Sequence, residues 1–197
     1  SKGKRKILAL DLKELIYKDK QRPKFETIAR GKKINSLRKR LKILIEGDDK
    51  AVIFYRKMFA FMFAYVSNRI PEISNQIYKI DSAMCAGYGW EIGPFEMWDC
   101  IGVSKGVELM KEENLNIPDW INTLKGESFY TIKDGERTYY EINNCNQNPI
   151  PTLNKFTILD YIRSKSLVWG NDGVSILDIG DGIINIEFHT KLNSLGK

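Results

Sequence analysis

Histidine is nearly absent from this chain: one residue, His189, in 197. A single imidazole leaves no material for a histidine-rich metal site. Cysteine is scarce too. Cys85, Cys100 and Cys145 are odd in number, far apart and without metal-ligand spacing. That argues against a disulfide framework or a zinc site and reads as free thiols in a reducing compartment. No apolar run approaches the roughly 20 residues that a membrane span requires. The basic opening Ser1-Lys2-Gly3-Lys4-Arg5-Lys6 is followed by no apolar stretch ending in a small-residue cleavage site, so no signal peptide is expected. A cytoplasmic protein is the expectation. The chain opens on serine rather than methionine, from which a piece of a longer polypeptide is expected. A strand–GxGxxG–helix unit is also lacking, because the glycines at 87, 89 and 93 follow a helical stretch rather than a strand.

What is present fits a globular protein, with 43% hydrophobic and 28% charged residues. The length allows one moderate domain, or one domain with a small appendage. Charge is unevenly placed. Of the net +6, residues 1–50 hold 17 Lys and Arg against 7 Asp and Glu, a local balance of +10, and the remainder stands at −4. The plain reading is a solvated, basic helical face; a polyanionic ligand, a neighbouring domain or nucleic acid are the alternatives.

Along the chain, Ile7 to Ile16 allows both helix and strand, and Pro23 closes the segment. Ile34, Leu37, Leu41, Leu44 and Ile45 recur at helical spacing, with Arg38, Lys39, Arg40 and Lys42 around them. Gly47 ends that helix, and Asp48 or Asp49 caps the next. Residues 52–66 are apolar nearly all round, which predicts a central helix touched from several sides, or a docking surface where exposed. Pro71 is expected to start a helix running through Ile77 to Met84, and Pro94 another that stops near Gly102. Ser104 is a candidate N-cap for 105–113, and Pro118 begins a short piece through Trp120. After Gly126 the pattern changes to a hairpin about Asp134-Gly135. A linker is expected at 143–151, a short helix at 155–164, and a second hairpin about Gly180-Asp181-Gly182.

The run Ile80-Asp81-Ser82-Ala83-Met84-Cys85-Ala86-Gly87-Tyr88-Gly89-Trp90-Glu91-Ile92-Gly93-Pro94-Phe95-Glu96-Met97-Trp98-Asp99 is the most informative in the chain. Ala83 and Met84 favour helix, Gly87 and Gly89 offer backbone angles closed to other residues, and Pro94 suits a first helical turn. It predicts a helix, a glycine corner and a second helix. It also resembles the I-D-x-A-x-x-x-G-x-G-x-x-x-G-P-F-E-x-x-D signature of the helical C-terminal domain of 3-hydroxyacyl-CoA dehydrogenases. Asp178-Ile179-Gly180-Asp181-Gly182-Ile183 and Glu187-Phe188-His189-Thr190-Lys191-Leu192-Asn193-Ser194-Leu195 resemble the opening hairpin of the crotonase-fold hydratase fused to such dehydrogenases in prokaryotes.

The resemblance implies a mainly α chain, a helical bundle with β-hairpins in its C-terminal third. Residues 1–126 would form the dehydrogenase-like helical domain, 127–142 a hairpin, 143–173 a linker and 174–197 the start of a crotonase-like domain. Asp81, Gly87, Gly89, Gly93, Pro94, Phe95, Asp99 and Gly102 would be structural residues of the motif. His189, Lys191 and Asn193 would lie near CoA in the parent protein. NAD would belong to a Rossmann domain elsewhere in the parent, leaving this segment without catalytic, cofactor or metal residues of its own.

Two departures support that silence. The family's active copies carry an Asn where this chain has Tyr55, and a phenol cannot reproduce an amide's paired donor and acceptor. The only histidine falls in the hydratase-like tail. The segment therefore resembles a second, diverged copy that packs against an active one and helps enclose the acyl-CoA site. Its partners would be the Rossmann and crotonase domains and, through the parent, acyl-CoA. Glu91, Glu96 and Asp99 crowd the corner, where Glu96 complements a helix dipole. The rival readings are an interaction module dimerising through helix 51–68, and nucleic-acid binding through the basic start. The latter lacks interleaved aromatics and any zinc or helix-turn-helix signature.

Overall fold

Short polar side chains decide where most elements of this chain begin. A computed structural model describes residues 7–21, 23–124, 127–133, 135–151 and 166–190. The chain divides into two units, 1–58 and 59–197.

In the first unit, β1 (Leu8–Asp11) and β2 (Ile16–Asp19) form an antiparallel hairpin. Asp11 Oδ1 accepts the backbone N–H of Lys13 at 2.9 Å and of Glu14 at 3.2 Å, and Leu15 closes the turn at φ +55°. That local bonding favours a turn over the competing helix. Two short helices follow, α1 (Glu26–Lys32) and α2 (Leu37–Leu44); Ser36 caps the second, accepting from Lys39 N–H at 3.4 Å. Gly47, at φ +106°, makes the turn into α3 (Lys50–Asn68), which crosses the division between the units. Asp49 Oδ1 accepts the N–H groups of Ala51 and Val52, while its Oδ2 accepts that of Thr27. One carboxylate thus caps a long helix and fastens a short one.

The second unit contains α4 (Ile77–Tyr88), α5 (Pro94–Ile101), α6 (Val103–Glu112) and α7 (Asp119–Thr123). Two three-stranded antiparallel sheets accompany them. One runs β3 (Tyr130–Lys133), β4 (Glu136–Glu141), β5 (Asn146–Pro149); the other runs β6 (Leu167–Gly170), β7 (Val174–Asp178), β8 (Ile184–Phe188). The core is an aromatic stack. The Phe63 ring lies 4.6 Å from that of Trp98 at an interplanar angle of 8°, and Phe129 stands 5.1 Å from both Phe95 and Trp98. Trp98 is fully buried and donates its indole N–H to Val103 O at 3.0 Å. A side-chain carbon at Gly106 would fall inside that indole, so α6 packs against Trp98 only because residue 106 is glycine.

The expected mainly α architecture is overturned. Among the described residues, seven helices stand beside eight strands in three small antiparallel sheets. Three strands escape the sequence patterns. β1 and β2 form because the Asp11 turn closes an ambiguous segment. β5 lies in the Asn- and Pro-rich stretch expected as linker, where Cys145 at φ +53° turns the chain back onto β4. β6 is held by its pairing with β7.

Smaller corrections follow the same logic. A cis Ile70–Pro71 bond and a turn precede α4, which starts only at Ile77. Ser104 lies inside α6, whose cap position is Gly102. Helix α3 is buried on one side only: Val52, Phe59, Ala60 and Phe63 are core, whereas Phe54, Met58, Phe61 and Tyr65 are exposed. The hairpins about Gly135 and Gly180–Gly182 form as expected. The helix expected at 155–164 lies outside the described residues. Among those described, no helix is long and apolar enough to cross a membrane.

Candidate functional site

The glycine corner is tied by one carboxylate. Asp81, in the middle of α4 and 5% exposed, accepts the backbone N–H groups of Phe95 and Glu96, each at 2.9 Å, at the first turn of α5. It also accepts the phenolic hydroxyl of Tyr130 at 2.9 Å, from β3. A helix N-terminus leaves its first N–H groups without helical partners, and here a side chain 14 residues earlier supplies them. The approach is close enough that a side-chain carbon at Gly93 would occupy the space of Asp81 itself. Asp81, Gly93, Pro94 and Phe95 are therefore one device: acid, gap, pre-set φ and the donor that meets the acid.

Around it stand further charges. Glu96 pairs with the Arg137 guanidinium from β4, which also lies over the Tyr130 ring, 4.5 Å from its centroid. Asp99 accepts the N–H of Phe129 at 2.8 Å and of Tyr130 at 2.9 Å, fixing the start of β3 to α5. Burial pushes the Asp81 carboxyl up to about 7, against its three hydrogen bonds, which pull the other way. Burial likewise raises Asp99 to about 6. The Tyr130 hydroxyl is raised by burial and then by the neighbouring Asp81.

Of the remaining motif glycines, Gly89 is the left-handed cap of α4 at φ +66°, its N–H bonded to Cys85 O, and Gly102 links α5 to α6 at φ +106°. Gly87 differs from its expectation. It lies in the last turn of α4 without a positive φ, and a side-chain carbon there would meet nothing within 4 Å. The structure brings Asp81, Gly93, Pro94, Phe95 and Asp99 together, and adds Glu96, Tyr130 and Arg137. Sequence reasoning missed the last two, which come from the hairpin. The one available signal was the Thr138-Tyr139-Tyr140 run that marks Arg137 as the start of a half-buried strand.

Chemically the corner binds backbone. Its carboxylates accept N–H groups and its cation is paired with Glu96. Among the described residues no cluster of His, Cys, Asp and Glu could hold a metal ion.

His189 lies apart, beside the β6–β7–β8 sheet. Its Nε2 is 2.7 Å from Ser175 Oγ, and its Nδ1 is 3.9 Å from Glu187. That row has the order of a nucleophile triad without its geometry. The second distance exceeds a hydrogen bond, and Ser175 is buried. Lys191 and Asn193 lie outside the described residues. Tyr55, the counterpart of the family's Asn, is half-buried on α3.

The architecture is thus a mixed α and β chain whose two corner helices are locked by a buried acid. No protein-family model matches the chain, and no solved structure matches it significantly. Curated proteins do. The chain is 31% identical over 194 residues to the "Probable 3-hydroxyacyl-CoA dehydrogenase" of Bacillus subtilis (strain 168), an alignment covering 96% of this chain and 24% of that protein. It is 23% identical over 146 residues to the "Putative fatty acid oxidation complex trifunctional enzyme" of Rickettsia prowazekii (strain Madrid E), covering 72% of this chain and 17% of that protein. The protein of the same name from Rickettsia felis is 22% identical over 160 residues. The chain therefore spans about a quarter, or less, of the length of the curated relatives it matches. It is homologous to a part of proteins bearing these names.

Proposed function

We propose that this segment is the helical domain of a 3-hydroxyacyl-CoA dehydrogenase, in its second and diverged copy, and that it shapes the enzyme without performing the chemistry. The parent polypeptide oxidises (S)-3-hydroxyacyl-CoA with NAD in fatty-acid β-oxidation or a related CoA-ester pathway. NAD binds a Rossmann domain elsewhere in the parent, and an enoyl-CoA hydratase domain begins near residue 174, with His189, Lys191 and Asn193 close to CoA. This copy packs against the active one and helps enclose the acyl chain.

The observation that carries this reading is the use made of the corner. Each motif acid accepts backbone or hydroxyl donors, so the signature is spent on holding two helices and a strand together. A second support is the exposed side of α3, where Phe54, Met58, Phe61 and Tyr65 follow at i, i+4, i+7 and i+11. That spacing sets them on one face, of the kind a partner domain covers.

The experiment is kinetic. Residues 1–197, purified alone, should show no reduction of acetoacetyl-CoA by NADH above the uncatalysed rate, while the full-length parent turns it over. A measurable rate from the segment alone refutes the silent-copy reading; a parent inactive on every 3-hydroxyacyl-CoA tried refutes the assignment. Phe61→Ser in the parent should raise KM for long acyl chains or loosen domain packing, and leave the corner folded.

A further inference from the structure

Two hairpins of this chain share one geometry. β1 and β2 pair Leu8 with Asp19 and Asp11 with Ile16; β4 and β5 pair Thr138 with Pro149 and Glu141 with Asn146. Each has a four-residue turn, 12–15 and 142–145, and an acidic residue ending its first strand. Each closes that turn on a left-handed residue other than glycine, Leu15 at φ +55° and Cys145 at φ +53°. A shift of 130 residues carries every one of these positions onto its counterpart.

Their surroundings differ. Thr138, Tyr139, Tyr140 and Glu141 are all buried, and β3 lies along the other edge of β4. The counterparts Leu8 and Leu10 are 45% and 44% exposed, Leu12 is 82% and Tyr17 71%. Among the described residues, β1 pairs with β2 alone. A two-stranded hairpin is marginal in water, and an apolar strand with an open edge is a template for another strand.

We infer that the hairpin at 8–19 is the tail of a preceding copy of this domain, and that the open edge of β1 receives the strand which in that copy corresponds to β3. This rests on the tandem-domain reading above and adds the partner. Register locates the occupant: shifting β3 (130–133) back by 130 brings it to the segment that runs into Ser1 from upstream in the parent. The 24% share of the Bacillus relative covered by the alignment leaves ample polypeptide outside it. The chemistry of the strand follows from its counterpart, in which aromatic and β-branched residues lead, as in Tyr130-Thr131-Ile132. The bonding side follows as well. Tyr140 N–H donates to Phe129 O at 2.7 Å, away from β5, so its counterpart Leu10, and Leu8 two residues before it, offer their backbone groups at the open edge, while Ala9 and Asp11 face β2. The repeat unit then runs from about residue 20 to about residue 150, and residues 8–19 belong to its predecessor.

Amide hydrogen exchange tests this in the full-length parent against residues 1–197. The N–H groups of Leu8 and Leu10 should exchange roughly a hundredfold more slowly in the parent, with Ala9 and Asp11 changing far less. Equal rates at Leu8 and Leu10 in the two proteins overturn the inference, as does a gene product with nothing upstream of Ser1. A second measurement does not depend on handling the parent. Removing residues 1–20 should leave the unfolding midpoint reported by Trp98 where it was, and a drop of several degrees assigns the hairpin to this domain instead. Protection at Leu8 and Leu10 in a parent without dehydrogenase activity keeps the inference and sinks the function. Activity with an unprotected edge does the reverse.

Discussion

Replacing Asp81 with Asn should reverse the response of this chain to pH, because the acid serves as acceptor and as buried charge at once. Oδ1 accepts Phe95 N–H, and Oδ2 accepts Glu96 N–H and the Tyr130 hydroxyl. An asparagine keeps one acceptor oxygen. With that oxygen in the Oδ2 position, the amide NH2 faces the N–H of Phe95 and leaves it unsatisfied; with the groups exchanged, Glu96 N–H is orphaned. A buried donor without a partner costs about 1–3 kcal/mol. Near pH 5, where the wild-type acid is largely protonated, the variant should be less stable by up to that amount.

Raising the pH acts on the wild type alone. The folded-state value, about 7, lies above the ordinary 3.8, so the folded chain holds this proton more tightly than the unfolded chain. Stability from that proton is full below pH 4 and is lost as pH rises through 7. Between pH 5 and pH 8 the loss is about 2–3 kcal/mol at Asp81, which shifts the melting temperature by roughly 5–10 °C in a chain of this size. Asp99, raised to about 6, adds a loss of the same sign that finishes earlier. Urea or thermal unfolding at pH 5, 6, 7 and 8, followed by tryptophan fluorescence, would show the wild type falling steeply and Asp81→Asn falling less, so that the two curves converge or cross near neutral pH. A wild type as stable at pH 8 as at pH 5, with the variant running parallel below it, would mean that the three donors outweigh burial. The argument from desolvation would then be wrong.

Gly93→Ala should unfold the corner or cost about 3 kcal/mol or more, because the added methyl overlaps Asp81. Gly87→Ala, in open space within a helix, should be neutral or stabilising by about 0.5–1 kcal/mol; melting the two variants side by side checks both, and equal loss would show that the corner geometry is misassigned. Gly106→Ala should expel the Trp98 indole and break its bond to Val103, seen as a red shift of the emission maximum. Under native conditions a thiol reagent should modify exposed Cys145 first and leave buried Cys100 untouched until denaturant is added; Cys85 should lag behind Cys145, since burial raises its thiol.

The corner was the most legible part of the sequence because its physics is local. A proline, three glycines and an acid within 14 residues confine the backbone so tightly that helix, turn and helix follow. Asp49 was legible for the same reason, as a cap just before an apolar run. The one-sided burial of α3 was not, since composition reports how much apolar surface a helix carries and not which part finds a partner. Nor were Tyr130 and Arg137. Each reaches the carboxylates across more than 40 residues of sequence, and no spacing rule connects them.

The paired hairpins show why a structural repeat can be invisible in letters. At a shift of 130 residues the two turns share no identical residue: Leu12-Lys13-Glu14-Leu15 stands against Ile142-Asn143-Asn144-Cys145. What they share is a loop of four with left-handed backbone in its last position, and those two conditions set the register of the flanking strands. Tyr139 and Tyr140 are aromatic because helices cover them. Leu8 and Leu10 are aliphatic at the same places, with no cover among the described residues. Selection on a strand acts through what it packs against, so two copies of a hairpin with different neighbours lose their likeness in side chains while the backbone keeps it. The apolar character of Leu8 and Leu10 is then itself the trace of a neighbour, because a strand exposed on both faces has no physical reason to stay greasy.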